Sequence, residues 1–176
     1  MSSVENIKQA LDRAAGIVGA RPSHGQRVYT STAVLEDGLA CRIEEKSYKL
    51  VADLPRSMGG DDTGPTPSAL LRAALSSCVA MGVKMWAARK DVAVDRVEVR
   101  VETGVDARGQ LGAADEVTPG FEDIHIHISV DSKADPSTLQ EIIQTSLRYS
   151  PLIDAFERAQ NVTTSIDFNP SGEGIA

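Results

Sequence analysis

Between residues 65 and 90 the chain reads PTPSALLRAALSSCVAMGVKMWAARK, with apolar residues on nearly every side of a helix rather than along one stripe. Leu70, Leu71, Leu75, Val79, Met81, Val83, Met85 and Trp86 cover most of the circumference. A helix of that kind is buried, in a core or against a second subunit. Thr66 is placed to cap its start, and Pro67 opens it where a missing N–H costs nothing. Arg72, Lys84, Arg89 and Lys90 interrupt the apolar run, so the pattern does not predict a membrane span.

The rest of the chain alternates between the two periodicities. Val4, Ile7, Leu11 and Val18 recur at helical spacing over residues 4–18, with Gly19 as a stop and a linker at 20–26. Strand-like runs follow at 27–35, 39–44 and 47–53, joined by Glu36-Asp37-Gly38 and by a turn at Glu45-Lys46, which predicts an antiparallel meander. In its second strand Cys41 shares the apolar face with Leu39 and Ile43. Residues 55–65, rich in Gly, Pro and Asp, form an irregular loop into the central helix. Runs 92–103 and 121–130 alternate valine or isoleucine with charged residues and His, and they pair. Asp135-Pro136 and Ser150-Pro151 repeat the cap-then-proline signature, predicting helices from Pro136 and over 151–159. A last strand is expected at 162–168, and residues 169–176 are expected to be a disordered tail. The organisation is thus a helix and linker at 1–26 and a domain at 27–168, of antiparallel α+β type around a long buried helix.

A chain of 176 residues, 41% hydrophobic, suits one domain with a core. The net charge of −7 argues against nucleic acid and anionic membranes as partners. Charges within the first twenty residues leave no export signal, and two cysteines make no disulfide framework, so a reduced, cytoplasmic protein is expected.

Cys78, in the middle of the central helix, is the first candidate for chemistry. It lies eleven residues after Pro67, beyond the reach of the helix dipole, and its neighbours at helical spacing are uncharged. Any cation that activates it must come from another segment or subunit. Without one, a thiol in an apolar helix is a small core residue, and Cys41 reads the same way. His125 and His127 share a strand face without further ligands at metal-binding spacing, so a solvated face and no metal are expected; Asp61-Asp62 reads as loop solvation. No cofactor motif is present in the sequence.

The run GGDDTGPTPSALLRAALSSCVAMGV, the strand VDRVEVRVE, the segment PGFEDIHIHISV and the late RYSPLIDAF together resemble the OsmC/Ohr group, the osmotically inducible and organic hydroperoxide resistance proteins. The resemblance covers about residues 27–168. It implies an OsmC-like fold in an intertwined homodimer, with central helices buried together and thiol-dependent peroxidase sites at the subunit interface. Cys78 stands at the position of the cysteine that attacks the peroxide. Ser150 stands where peroxidase members carry a second, resolving cysteine, and Ser68 where they carry a glutamate that orients an activating arginine. Arg27, Arg42 and Arg56 are the candidates for that arginine. The implied activity is reduction of organic hydroperoxides through one reactive cysteine, restored by an external thiol. The alternative is a protein without peroxidase chemistry that binds a small apolar ligand where Ser68, Cys78 and Ser150 would line the interface.

Overall fold

The computed structural model describes residues 4–168; the expected tail at 169–176 lies outside them. The architecture is built on α2, Pro67–Arg89, a helix of 23 residues. Its start is capped as the sequence predicts, Thr66 Oγ1 accepting from Ala69 N at 3.2 Å. Leu75, Val79, Val83 and Ala87, spaced by four residues, form its fully buried stripe. Val83 and Ala87 meet Val94 and Ile142 in a core flanked by Trp86, Val97, Val130 and Leu139. The opposite side of α2 is open in the single chain: Ala74, Ser77, Met81 and Met85 are exposed, Met81 at 59%.

The helix that opens the chain, α1 (Val4–Ala20), lies against α2 and is fastened to its C-terminal end. Lys8 pairs with Asp91, Arg89 with Asp12 at 3.2 Å, and Arg89 Nη2 donates to Leu11 O. A short 3-10 turn, Pro22–Gly25, follows.

Strands β1 (Thr32–Val34), β2 (Cys41–Glu45) and β3 (Tyr48–Ala52) form the expected antiparallel meander, in the order β1-β2-β3. Cys41 pairs with Ala52 and Glu45 with Tyr48, the turn at Lys46 adopting φ 54°. The first strand is shorter than its sequence pattern, with residues 27–31 outside it. β1 is exposed throughout, and β3 is exposed at four of its five positions, including Leu50 and Val51.

β4 (Arg96–Val105) and β5 (Phe121–Asp131) pair antiparallel, Val97 opposite Val130 and Val99 opposite Ile128. Their valine and isoleucine face packs on α2, and the connection between them carries a single turn of helix, α3 (Ala107–Gln110). The prolines behave as read: α4 (Pro136–Arg148) and α5 (Pro151–Glu157) begin with Asp135 accepting from Ser137 N and Ser150 accepting from Ile153 N.

The predicted strand at 162–168 does not form. Its alternation is strand-like, but β character requires a ladder partner, and here Val162, Ile166 and Phe168 are 83%, 70% and 89% exposed.

α4 crosses α2 closely at Gly82, where an added Cβ would stand 2.4 Å from Ser146 Oγ. Ser146 is buried and its hydroxyl has no hydrogen-bond partner among the described residues. Gly82→Ala therefore sets a helix-propensity gain of about 1 kcal/mol against overpacking of about 1–3 kcal/mol, and a net loss of stability is expected. Adding Ser146→Ala removes the colliding atom and an unsatisfied polar group, so the double substitution should unfold at a higher urea midpoint than Gly82→Ala alone.

Candidate active site

Two segments 72 residues apart meet at Cys78. α2 holds the cysteine half-buried at its middle, and its Sγ lies 3.5 Å from Ser150 Oγ. Ser150 is 5% exposed and caps α5, its Oγ accepting from Ile153 N at 3.3 Å. The corner between α4 and α5 that carries it is braced by the preceding residue. Tyr149 stacks on Trp86 of α2 with ring centroids 5.1 Å apart, and Arg89 and Arg148 lie over the Trp86 and Tyr149 rings. Such ring and cation contacts are worth about 0.5–1.5 kcal/mol each, enough to fix where Ser150 stands.

Beside this pair, Leu75, Ile124, Ile126, Ile153 and Phe156 line a largely apolar cleft of about 160 Å³, with Glu157 at its edge. Leu75 is three residues before Cys78, and Ile153 three after Ser150. Leu75 is thus one helical turn from Cys78, and Ile153 N–H bonds Ser150 Oγ, so the cleft adjoins both residues.

The other candidates fall elsewhere. Ser68 is half-buried in the first turn of α2. Ten residues of helix, about 15 Å of rise, separate it from Cys78, so one chain does not bring those two together. Arg27 donates to His24 O at 3.4 Å, Arg42 pairs with Glu36 at 2.9 Å, and Arg56 is exposed in a 3-10 turn at Arg56–Met58. None of the three bonds to Cys78 among the described residues. Cys41 and Cys78 are both free thiols. His125 and His127 are exposed opposite Glu102 and Arg100.

The acid that organises the loop into α2 is neither Asp61 nor Asp62 but Asp53, which sequence reasoning treated only as the end of a strand. Its buried carboxylate accepts from Leu54 N, Asp61 N, Thr63 N and Thr63 Oγ1 at 2.7–3.2 Å. Those bonds, first the one from Thr63 N, hold it below the usual carboxylate range, so it stays charged. Gly60 completes the loop: a Cβ there would stand 2.0 Å from Leu54 O. A double glycine with an aspartate at the end of the preceding strand was the available signal.

An antiparallel α+β domain with a free thiol midway along its principal helix, facing a helix cap that a proline follows, is the class that fold and site define. Residues 59–165 match the model of the OsmC-like protein family, and the chain belongs to that family. Among curated proteins no sequence matches it. Solved structures share the fold. The OsmC-like protein of Mycoplasma pneumoniae is 18% identical, with a TM-score of 0.63, over 75% of this chain and 89% of that one. The organic hydroperoxide resistance protein OsmC of Legionella pneumophila is also 18% identical, with a TM-score of 0.56, over 74% and 91%. An organic hydroperoxide resistance protein from Elizabethkingia anophelis is 15% identical, with a TM-score of 0.56, over 74% and 88%.

Proposed function

We propose that this protein is a one-cysteine, thiol-dependent reductase of organic hydroperoxides acting as a cytoplasmic homodimer. The observation that carries the reading is the half-buried Cys78 sulfur held against Ser150 beside an apolar cleft. The hydroperoxide resistance proteins among its structural relatives support it.

In the reaction the Cys78 thiolate attacks the outer peroxide oxygen. An S–O bond forms, the O–O bond breaks, and the alkoxide leaves as an alcohol after taking a proton. Cys78 is left as a sulfenic acid. One external thiol converts it to a mixed disulfide and water, and a second releases the external disulfide and restores the Cys78 thiol. The cleft lined by Leu75, Ile153 and Phe156 favours an alkyl or aryl group on the peroxide over hydrogen peroxide.

Dimerisation is supported by what a single chain leaves open. Met81 and Met85 on α2, Val34, Leu50 and Val51 in the sheet, and Val162, Ile166 and Phe168 are apolar and exposed, and apolar residues clustered in that way are covered by a partner. A second copy is also the source of the cation that the described residues of one chain do not bring to Cys78.

The test adds one equivalent of cumene hydroperoxide to the reduced protein. One equivalent of cumyl alcohol per chain is expected, with one oxygen gained on the peptide that carries Cys78. No alcohol, or oxidation confined to Cys41, would reject the reading in favour of the apolar-ligand alternative.

A further inference from the structure

The Cys78–Ser150 contact says more than that two side chains touch. We infer that Ser150 is the positioning residue of the site: its hydroxyl donates a hydrogen bond to the Cys78 thiolate, a role that its duty as the α5 cap holds in place. This rests on the reading of Cys78 as the attacking thiol.

The direction of the bond follows from counting hydrogens. A serine hydroxyl has one proton to give and two lone pairs to receive. Ile153 N–H already points at Ser150 Oγ and uses a lone pair, at 3.3 Å. The neutral thiol could give or receive in the 3.5 Å contact, but a thiolate has no proton, so in the reactive state only Ser150 can donate. The backbone around it is fixed as well, Ser150 N donating to Leu147 O at 3.1 Å and Ser150 O accepting from Asp154 N at 3.1 Å. The backbone is thus fixed, and the Ile153 bond with 5% exposure keeps the side-chain oxygen beside the sulfur.

A second polar group stands one helical turn away. Ser146 lies in the last turn of α4, four residues before Ser150 at the α4–α5 corner, and Gly82 follows Cys78 by four on α2. Ser146 Oγ approaches Gly82 more closely than any side chain there would permit, is 2% exposed, and has no partner among the described residues. An unsatisfied buried hydroxyl costs stability. Here it adds an uncommitted donor to the face of α2 that carries the sulfur, in an otherwise apolar contact between helices.

The experiment measures alkylation of Cys78 by iodoacetamide at pH 7 in the full-length chain, following the Cys78 peptide apart from that of Cys41. Three variants divide cap from donor. Ser150→Ala loses both, Ser150→Thr keeps both, and Ser150→Gly keeps the helix start nearly intact but has neither a proton to give nor a charge to repel the thiolate. A hydrogen bond to a charged group predicts alkylation about tenfold slower in Ser150→Ala and Ser150→Gly, with Ser150→Thr close to the parent rate. Because glycine is tolerated at a helix start, a slow Ser150→Gly with parent-like circular dichroism is not a folding defect. Parent-like rates in both Ser150→Ala and Ser150→Gly overturn the assignment. Alkylation involves no peroxide, so the two ideas fail separately. A chain that follows this pattern yet forms no cumyl alcohol loses the hydroperoxide reading and keeps the Ser150 assignment. One that forms alcohol while ignoring all three substitutions does the reverse.

Discussion

Cys78→Ser should reduce hydroperoxide consumption with a dithiol to the rate of the dithiol alone, while Cys41→Ser should leave turnover intact. The size of the effect follows from the chemistry. A serine hydroxyl at neutral pH is not a nucleophile toward an O–O bond without a strong base, and none of the described residues brings one to Cys78. Nor does Cys41 substitute, since it belongs to the β1–β3 sheet and is half-buried opposite Ala52. The substitution replaces one small side chain by another next to Ser150 Oγ, where two hydroxyls can bond. Its effect on stability should stay within about 1 kcal/mol. A urea midpoint near that of the parent together with abolished turnover assigns the loss to the sulfur. Turnover retained in Cys78→Ser would exclude it as the reacting group.

Ser150→Cys should change the cycle itself. With 3.5 Å between Cys78 Sγ and Ser150 Oγ, an S–S bond of about 2.05 Å needs only small side-chain rotations. One equivalent of hydroperoxide should then produce a sulfenic acid that the new thiol attacks, giving a disulfide and water. The measured mass would fall by two hydrogens instead of rising by one oxygen. The two positions lie 72 residues apart, and closing a loop of that length stabilises the folded chain by up to about 4 kcal/mol on the chain-entropy account. Loss of the α5 cap offsets about 1 kcal/mol of this. The oxidised variant should therefore melt above the parent and the reduced variant below it. A sulfenic acid that persists beside the new thiol would show that the contact cannot close.

Much of the site was legible because local chemistry writes it. Thr66-Pro67, Asp135-Pro136 and Ser150-Pro151 each announce a helix start, and all three caps form with the expected side-chain acceptors. The 3.6-residue and two-residue periods locate α1, α4, β4 and β5, and the long apolar run between Pro67 and Lys90 locates α2. What could not be read depends on distant segments. That Ser150 faces Cys78 was expected only from the family resemblance, since it follows from how α4 crosses α2, which no spacing in the sequence encodes. Ser146 stands at apolar-face spacing, four residues after Ile142 and seven after Leu139, but its own polarity hides that it is buried. Gly82 reads as a mild defect in a long helix, whereas the structure makes it the point of closest approach. Asp53 was hidden because a strand-end acid is ordinarily solvated, and its role appears only when three separate backbone amides turn toward it. The strand expected at 162–168 fails for a related reason: alternation describes a face, and a ladder needs a neighbour.

The same oxygen starts α5 and touches the sulfur. Unwinding the first turn of that seven-residue helix would release Ser150 Oγ from Ile153 N, and with it the geometry seen by Cys78. On the proposed role of Ser150, the reactivity of the thiol would be tied to the local opening of a short segment far along the chain. Hydrogen exchange at Ile153 N–H gives a direct measure of how often the sulfur loses its companion.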